Sequence, residues 1–284
     1  MKLRTNMFLE VSTEEISTIE FSKNIILNKV NNITVGNTYL RGSANIKDFQ
    51  IHIKNKNLYI LVEGETVFIK LITLPVVKKY LINDMIKNEL RFYYKDIDHI
   101  AFTYKLIKKS KTNIEILVFC LRGNNLDILE NNLDNTIRLK KINLIQFCFK
   151  NYYSNKIHEK NYILIFYYNF NLYFLICHDD EIVANNIVNS EQLLLLRFSE
   201  EMVEFLEKYS EYAKQCKNIY YSNINELNSG KSDTDRLNIK EFKYLGLSHK
   251  ILDDFKREEL LKYIIIKSST ERSLASISLT CSPA

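Results

Sequence analysis

The stretch YILIFYYNFNLYFLICHDDEIVANNIV, residues 162–188, is three apolar runs parted by two short polar breaks. Ile, Leu, Val, Phe and Tyr dominate the runs 162–168, 172–178 and 181–188, the residues that suit a pleated, buried surface. The breaks, Asn169–Asn171 and Asp179–Asp180, hold residues that tolerate left-handed backbone and bond to their own main chain. The stretch reads as a three-strand meander. A long helical pattern follows in EQLLLLRFSEEMVEFLEKYSEYAKQC, capped by Ser190, with Met202, Phe205, Leu206, Tyr209, Ala213 and Cys216 on one side. The strand KNIYYS, 217–222, closes this unit.

The same plan stands, more loosely, at the start of the chain. Strands are expected near 7–12, 15–22 and 25–35, then a helix capped by Ser43 through DFQIHIKN, then the strand LYILVE at 58–63. A strand TVFIKLIT (66–73) leads to Leu74-Pro75, which opens a helix over VVKKYLINDMIKNELRFYY. Val77, Leu81, Met85 and Leu90 lie there at roughly helical spacing. Strands at 97–107 and 113–121 flank a lysine-rich turn, and a helix is expected over NNLDILENNL. LKKINLIQFCFKNYY (139–153) reads as a short strand running into an apolar helix. Beyond 228, NSGKSDTDR is loop-like, KEFKYLG a strand, ILDDFKREELLKYI a helix, and the serine-rich end from Ser268 a frayed tail. The class is α/β, with two lobes of related plan.

Composition narrows the function classes. At 284 residues and 46% hydrophobic content the chain can bury two real cores, and 26% charged residues is the globular norm. A net charge of +5 without a basic stripe interleaved with aromatics argues against nucleic acid. The run KLIKKSKTN, 105–113, reads as a solvated hairpin turn. Cys120, Cys148, Cys177, Cys216 and Cys281 are widely spaced with no CxxC pair, which disfavours zinc and disulfide frameworks and suits buried free thiols in a reducing compartment. No apolar run is long enough to span a bilayer, and the N-terminus lacks a signal-peptide core. The expected place is the cytoplasm.

Few motifs promise chemistry. His178 with Asp179 and Asp180 could be drawn as an acid–base or metal cluster, but adjacent strand residues point to opposite faces, so a turn is the better reading. His99 beside Asp98 reads as a surface strand position. Gly230-Lys231-Ser232 lacks the first glycine and the strand-to-helix setting of a phosphate loop. The first hairpin, FLEVSTEEISTIEF (8–21), sits where several α/β folds hold a phosphate. Such a loop needs glycine so that backbone N–H groups can approach the ligand. Here the turn is Ser12, Thr13, Glu14, Glu15. Only six glycines and two prolines occur in the whole chain.

The duplicated meander-plus-helix plan resembles the actin-like (ribonuclease H-like) fold: two lobes with mixed sheets and a small inserted α+β subdomain. The nearest family is PilM, the cytoplasmic actin-like protein of type IV pilus assembly, related to the cytoplasmic domain of GspL in type II secretion. The stretch FIKLITLPVVKKYLINDMIKNELRFYYKDIDHIAFTYKL, Phe68 to Leu106, carries the likeness through Leu74-Pro75, the helix through Glu89, Tyr93-Tyr94, and the strand Phe102 to Tyr104. ILVFCLRGNNLDILENNLDN matches the strand and helix that follow, and the likeness spans about 7–228. It implies a first lobe at 1–73 and 141–158, an inserted subdomain at 74–140, a second, reduced lobe at 159–267, and a tail at 268–284.

The resemblance also implies that nucleotide binding has been lost. The family's first hairpin, D-I-G-S-x-x-I-K, aligns Glu10 with Asp, Ser12 with Gly and Ser17 with Lys. The second phosphate hairpin becomes FYYNFNLYF, and the Gly-Gly turn at the adenosine falls on Asn223-Ile224. Three losses together remove both the close backbone approach and the acids that hold Mg²⁺. The implied function is a non-catalytic scaffold with no cofactor, held at the inner face of the cytoplasmic membrane by a short cytoplasmic peptide of a PilN-like inner-membrane protein. That peptide would dock between the first lobe and the inserted subdomain, with Leu81, Met85, Tyr93 and Tyr94 as groove residues. The assembly ATPase and the inner-membrane platform protein are further partners the resemblance implies. The alternatives are an active ATP-binding protein, with Glu10 organising Mg²⁺ and Thr13 on phosphate, or a GspL-like secretion component.

Overall fold

The computed structural model describes residues 5–12, 15–21, 38–41, 53–94, 97, 100–121, 136–189, 195–224 and 246–270. The chain divides into two compact units, Met1–Leu144 with Ile265–Ala284, and Ile145–Ile264.

The first unit carries a five-stranded sheet built from β1 (Thr5–Val11), β2 (Glu15–Phe21), β3 (Thr38–Arg41), β4 (Lys56–Val62) and β8 (Arg138–Leu144), in the order β3-β2-β1-β4-β8. β1 pairs antiparallel with β2 and parallel with β4, and β8 extends the parallel side. The central strands are apolar on both faces: Phe8, Leu9, Val11, Leu58 and Leu61 are all fully buried. Unbroken burial of that kind marks a sheet covered on both sides. Polar groups that enter it are paired, as where Asn57 Nδ2 donates to Asn6 Oδ1 at 3.0 Å across the β1–β4 register. The strand expected at 25–35 lies outside the described residues, as do the helix start at Ser43 and the helix over 124–133. Ile53–Asn55, the end of that expected first helix, are not helical, and Asn55 turns into β4 at φ 55°.

A second, three-stranded sheet of the same unit has the order β5-β7-β6, all antiparallel, from β5 (Phe68–Pro75), β6 (Ala101–Lys109) and β7 (Asn113–Leu121). Leu74-Pro75 does not open a helix. The strand runs through Pro75, opposite Asn113, because β5 is an edge strand and an edge does not need every N–H for pairing. A 3₁₀ turn at Lys79–Leu81 then leads into α1 (Ile82–Leu90), which seats Ile86 and Leu90 on Ile72, Leu74, Ile114, Ile116, Val118 and Cys120.

The second unit repeats the first sheet's topology. β9 (Tyr162–Tyr168), β10 (Asn171–His178), β11 (Glu181–Asn189), β12 (Asn218–Ser222) and β13 (Ser248–Ile251) take the order β11-β10-β9-β12-β13. Again the first strand is antiparallel to the second and parallel to the fourth. The odd residues Ile163, Ile165 and Tyr167 join one core with Met202, Phe205 and Leu206 of α3 (Leu195–Lys208) and Ala213 of the short α4 (Ser210–Ala213). The even residues meet α2 (Ile145–Tyr153), with the Phe149 and Phe166 rings stacked at 3.7 Å. The meander read from 162–188 is therefore the middle of a three-layer unit. α5 (Arg257–Thr270) begins six residues later than the expected helix and takes in the start of the serine-rich end. Ser268 is buried there, accepting from Asn143 Nδ2 at 2.9 Å. No described helix is long and apolar enough to cross a membrane.

Candidate functional site

The first candidate is the β1–β2 hairpin. Opposed residues of an antiparallel pair share a face, and Glu10 stands opposite Ser17. Ser17 Oγ donates to Glu10 Oε2 at 2.8 Å, and both residues are buried, Glu10 at 2% exposure. Ser12 is buried as well, and the Glu63 N–H bonds to the Val11 carbonyl at 2.9 Å, tying the hairpin's end to the chain after β4. Thr13 lies outside the described residues. Three of the four sequence-derived loop positions are thus brought together inside the sheet's end, where the carboxyl group is engaged by a neighbouring strand.

The corresponding hairpin of the second unit turns on Asn169 and Phe170, at φ 45° and 62°. Two successive positive φ angles define the hairpin turn whose twist matches the strands, and glycine usually takes the second place. Asn171 Nδ2 donates to the Asn169 carbonyl at 3.0 Å and helps close it. Phe170 sits half-exposed in a conformation costing a side-chain-bearing residue about 1–2 kcal/mol. Phe170→Gly is therefore expected to raise stability by about 1 kcal/mol once glycine's extra unfolded-state entropy is deducted. A higher urea midpoint at unchanged slope would register it.

The third position is Asn223, just past β12. It takes the left-handed conformation, φ 57°, that a glycine turn would supply. Its N–H donates to Asp254 Oδ1 at 2.9 Å, and its side-chain oxygen accepts the Phe255 N–H at 3.0 Å. Asparagine supplies the left-handed turn, and its N–H is held by a carboxylate. Beside it, Tyr153 donates to the Asp253 carbonyl at 2.7 Å and pairs with Ser222 Oγ at 2.6 Å. Burial pushes the Tyr153 phenol up to about 12, the Ser222 bond opposing it.

The other sequence candidates resolve into structure. Asp179 and Asp180 form a second two-residue turn, φ 48° and 62°, and diverge: Asp180 pairs with Lys150 at 2.9 Å, while the Asp179 N–H bonds to Asn161 Oδ1. His178 Nε2 meets Gln215 Oε1 at 2.8 Å. Among the described residues no group of three or more His, Cys, Asp or Glu is placed to hold a metal ion. His99, Asp98 and the Gly230-Lys231-Ser232 run lie outside them. Cys120, Cys148, Cys177 and Cys216 are buried free thiols, and burial pushes Cys120 and Cys177 up to about 12.

The inserted sheet offers a different kind of surface. Of the four groove residues, Met85 and Tyr94 pack partly buried on the α1 core, while Leu81 and Tyr93 are exposed. The Tyr93 ring lies 5.7 Å from Phe68, with Lys70 Nζ 4.2 Å over it, and Tyr94 meets Phe68 edge-on at 5.6 Å. Sequence reading missed Phe92, which is 83% exposed, and Tyr80, 70%. The expected helix ran on through Tyr94, but α1 stops at Leu90. Tight bonds from the Phe92 N–H to Glu89 and the Tyr93 N–H to Leu90 then swing Phe92 outward. The cue was FYY directly after the last buried helical position.

No family model and no curated protein matches the chain. Solved structures do. The chain is similar to PilM in the PilM–PilN type IV pilus biogenesis complex, with a TM-score of 0.55 and 10% identity over 94% of this chain and 97% of that one. It is also similar to the cytoplasmic domain of EpsL, an inner-membrane component of the type II secretion system of Vibrio cholerae: TM-score 0.51, 10% identity, 95% and 96% covered. With two five-stranded sheets of one topology and a small sheet inserted in the first unit, the chain has the actin-like fold.

Proposed function

We propose that this chain is a non-catalytic cytoplasmic adaptor of an envelope-spanning pilus or secretion assembly. It binds a short cytoplasmic segment of a PilN-like inner-membrane protein and is held at the membrane by it. The observation that carries this reading is the surface at the two ends of α1. Leu81, Phe92 and Tyr93 stay exposed there although the helix between them is well seated. Large aromatics left in water at the rim of a rigid element are what a peptide-binding surface requires, because they supply area at little entropic cost. The likeness to PilM, whose solved structure is a complex with PilN, supports the choice of occupant.

The three remodelled loops support the non-catalytic half. In the first the Glu10 carboxyl group is engaged by Ser17, in the second a side-chain-bearing Phe170 takes the place where such a turn usually has glycine, and in the third the Asn223 N–H is held by Asp254. Calorimetric titration of the full chain with the N-terminal cytoplasmic peptide of the PilN-like protein is expected to give a saturable isotherm. Phe92→Ser should weaken it about thirty-fold, the effect of losing one aromatic worth ~2 kcal/mol. A flat isotherm with the wild-type chain at high peptide concentration rejects the adaptor reading.

A further inference from the structure

The segment that carries the inserted sheet has a charge surplus as large as that of the whole chain. Residues 68–121 hold ten basic residues against five acidic, a surplus equal to the +5 of all 284 residues. The lysines gather at one end of that sheet. Lys105, Lys108, Lys109 and Lys111 are exposed on and beside the β6–β7 turn, and Lys78 and Lys79 follow β5 at the same end. Among these lysines lie half-exposed aliphatic side chains: Leu106 is 51% exposed, Ile107 46% and Val76 40%.

The strand is irregular where they stand. The β6–β7 register slips between Leu106 and Lys108, so Ile107 is the extra residue of a bulge. A bulge breaks the strict alternation of a strand and re-aims the side chains around it. Leu106 and Ile107 stand together in a strand end, Lys105 to Lys109, in which every residue is exposed. The Val76 N–H donates to the Thr112 carbonyl at 2.9 Å and fixes Val76 beside the same turn. The turn satisfies its own backbone: Ser110 Oγ accepts from the N–H groups of Thr112 and Asn113, and the Ser110 N–H bonds to the Asn113 carbonyl.

We infer that the tip of this hairpin docks on an anionic lipid surface, with Leu106, Ile107 and Val76 entering the headgroup–acyl boundary and the surrounding lysines resting on lipid phosphates. Lysines on an edge strand also protect it from pairing with another chain, but edge protection does not call for exposed leucine and isoleucine among them. Nucleic-acid surfaces join basic residues to flat aromatic platforms. Here Tyr80 is exposed beside Lys79, but the residues among the turn lysines are the aliphatics Leu106 and Ile107, which gain free energy from an acyl boundary and cannot stack on a base. The inference is independent of the peptide reading, since it rests on other residues and needs no partner protein.

The test is co-sedimentation of the full chain with vesicles of equimolar phosphatidylglycerol and phosphatidylcholine, beside vesicles of phosphatidylcholine alone, with no peptide present. Partition onto the anionic vesicles and little onto the neutral ones is expected. Lys108→Ala with Lys109→Ala should lower the partition about twenty-five-fold, from roughly five-fold for each lysine near the surface. Leu106→Ser with Ile107→Ser should lower it about ten-fold or more, and this loss should persist at high salt where the lysine effect is screened. Both pairs are exposed, so unchanged thermal melts are expected to accompany the losses. Equal binding to neutral vesicles, indifference to both double substitutions, or retention of a mixed-sequence single-stranded oligonucleotide while the vesicles are ignored would each overturn the proposal.

Discussion

Phe166→Ala is expected to cost about 3–5 kcal/mol, the largest loss any single substitution in this chain should produce. Phe166 lies on the central strand β9, fully buried. Its ring is stacked between Phe149 of α2 at 3.7 Å and Tyr173 of β10 at 4.7 Å. Phe149 in turn meets Phe255 edge-on at 4.7 Å. Truncation would open a cavity in the middle of three rings whose own strands and helix are fixed by hydrogen bonds, so little collapse can refill it. The aromatic pairings add a further ~1 kcal/mol that an aliphatic replacement does not restore. At 2–4 °C per kcal/mol, the melting temperature should fall by on the order of 10 °C. Phe166→Leu keeps most of the volume and should lose less than half as much. A melt unchanged by the alanine substitution would mean that this face of the sheet is not packed as described.

Ser17→Ala is the second. The hydroxyl at 2.8 Å is a donor to a carboxyl group that the fold has taken out of water. Removing it takes away one buried hydrogen bond inside the sheet, at about 1–2 kcal/mol. Glu10→Gln keeps an acceptor for the same hydroxyl and should cost less. Denaturant unfolding of the two variants separates the cases: a larger loss for Ser17→Ala than for Glu10→Gln is the signature of a carboxyl group kept for structure. The opposite order would point to a role for the charge of Glu10 itself.

Much of this was legible in the chain. The meander at 162–188 could be read because its strands are buried on both faces and its turns carry asparagine and aspartate. The core side of α3 could be read because Met202, Phe205 and Leu206 recur at helical spacing. Edges were harder. β5 continues through a proline that a central strand would not tolerate, and Ser248–Ile251 forms β13 with hardly a buried side chain, so no pattern announces it. The strand expected at 240–246 falls mostly outside the described residues. In the candidate site, the absence of glycine was visible at Ser12, at Asn169–Asn171 and at Asn223, but the groups bonded at these turns were not all local. Ser17 is seven residues from Glu10, a hairpin's reach. Asp254 is thirty-one residues from Asn223, and only the parallel pairing of β12 with β13 delivers it. Phe92 escaped notice because a helix was carried four residues too far.

The central claim is that the actin-like frame here serves recognition, with its phosphate and base loops rebuilt as structure. The most direct measurement is a thermal-shift titration of the full chain with ATP, ADP and Mg²⁺. A nucleotide at fifty times its Kd would add about 2.3 kcal/mol to the folded state, several degrees for a chain of this size. The account predicts no shift at any nucleotide concentration. A saturable, Mg²⁺-dependent rise in melting temperature that Glu10→Ala abolishes would contradict it.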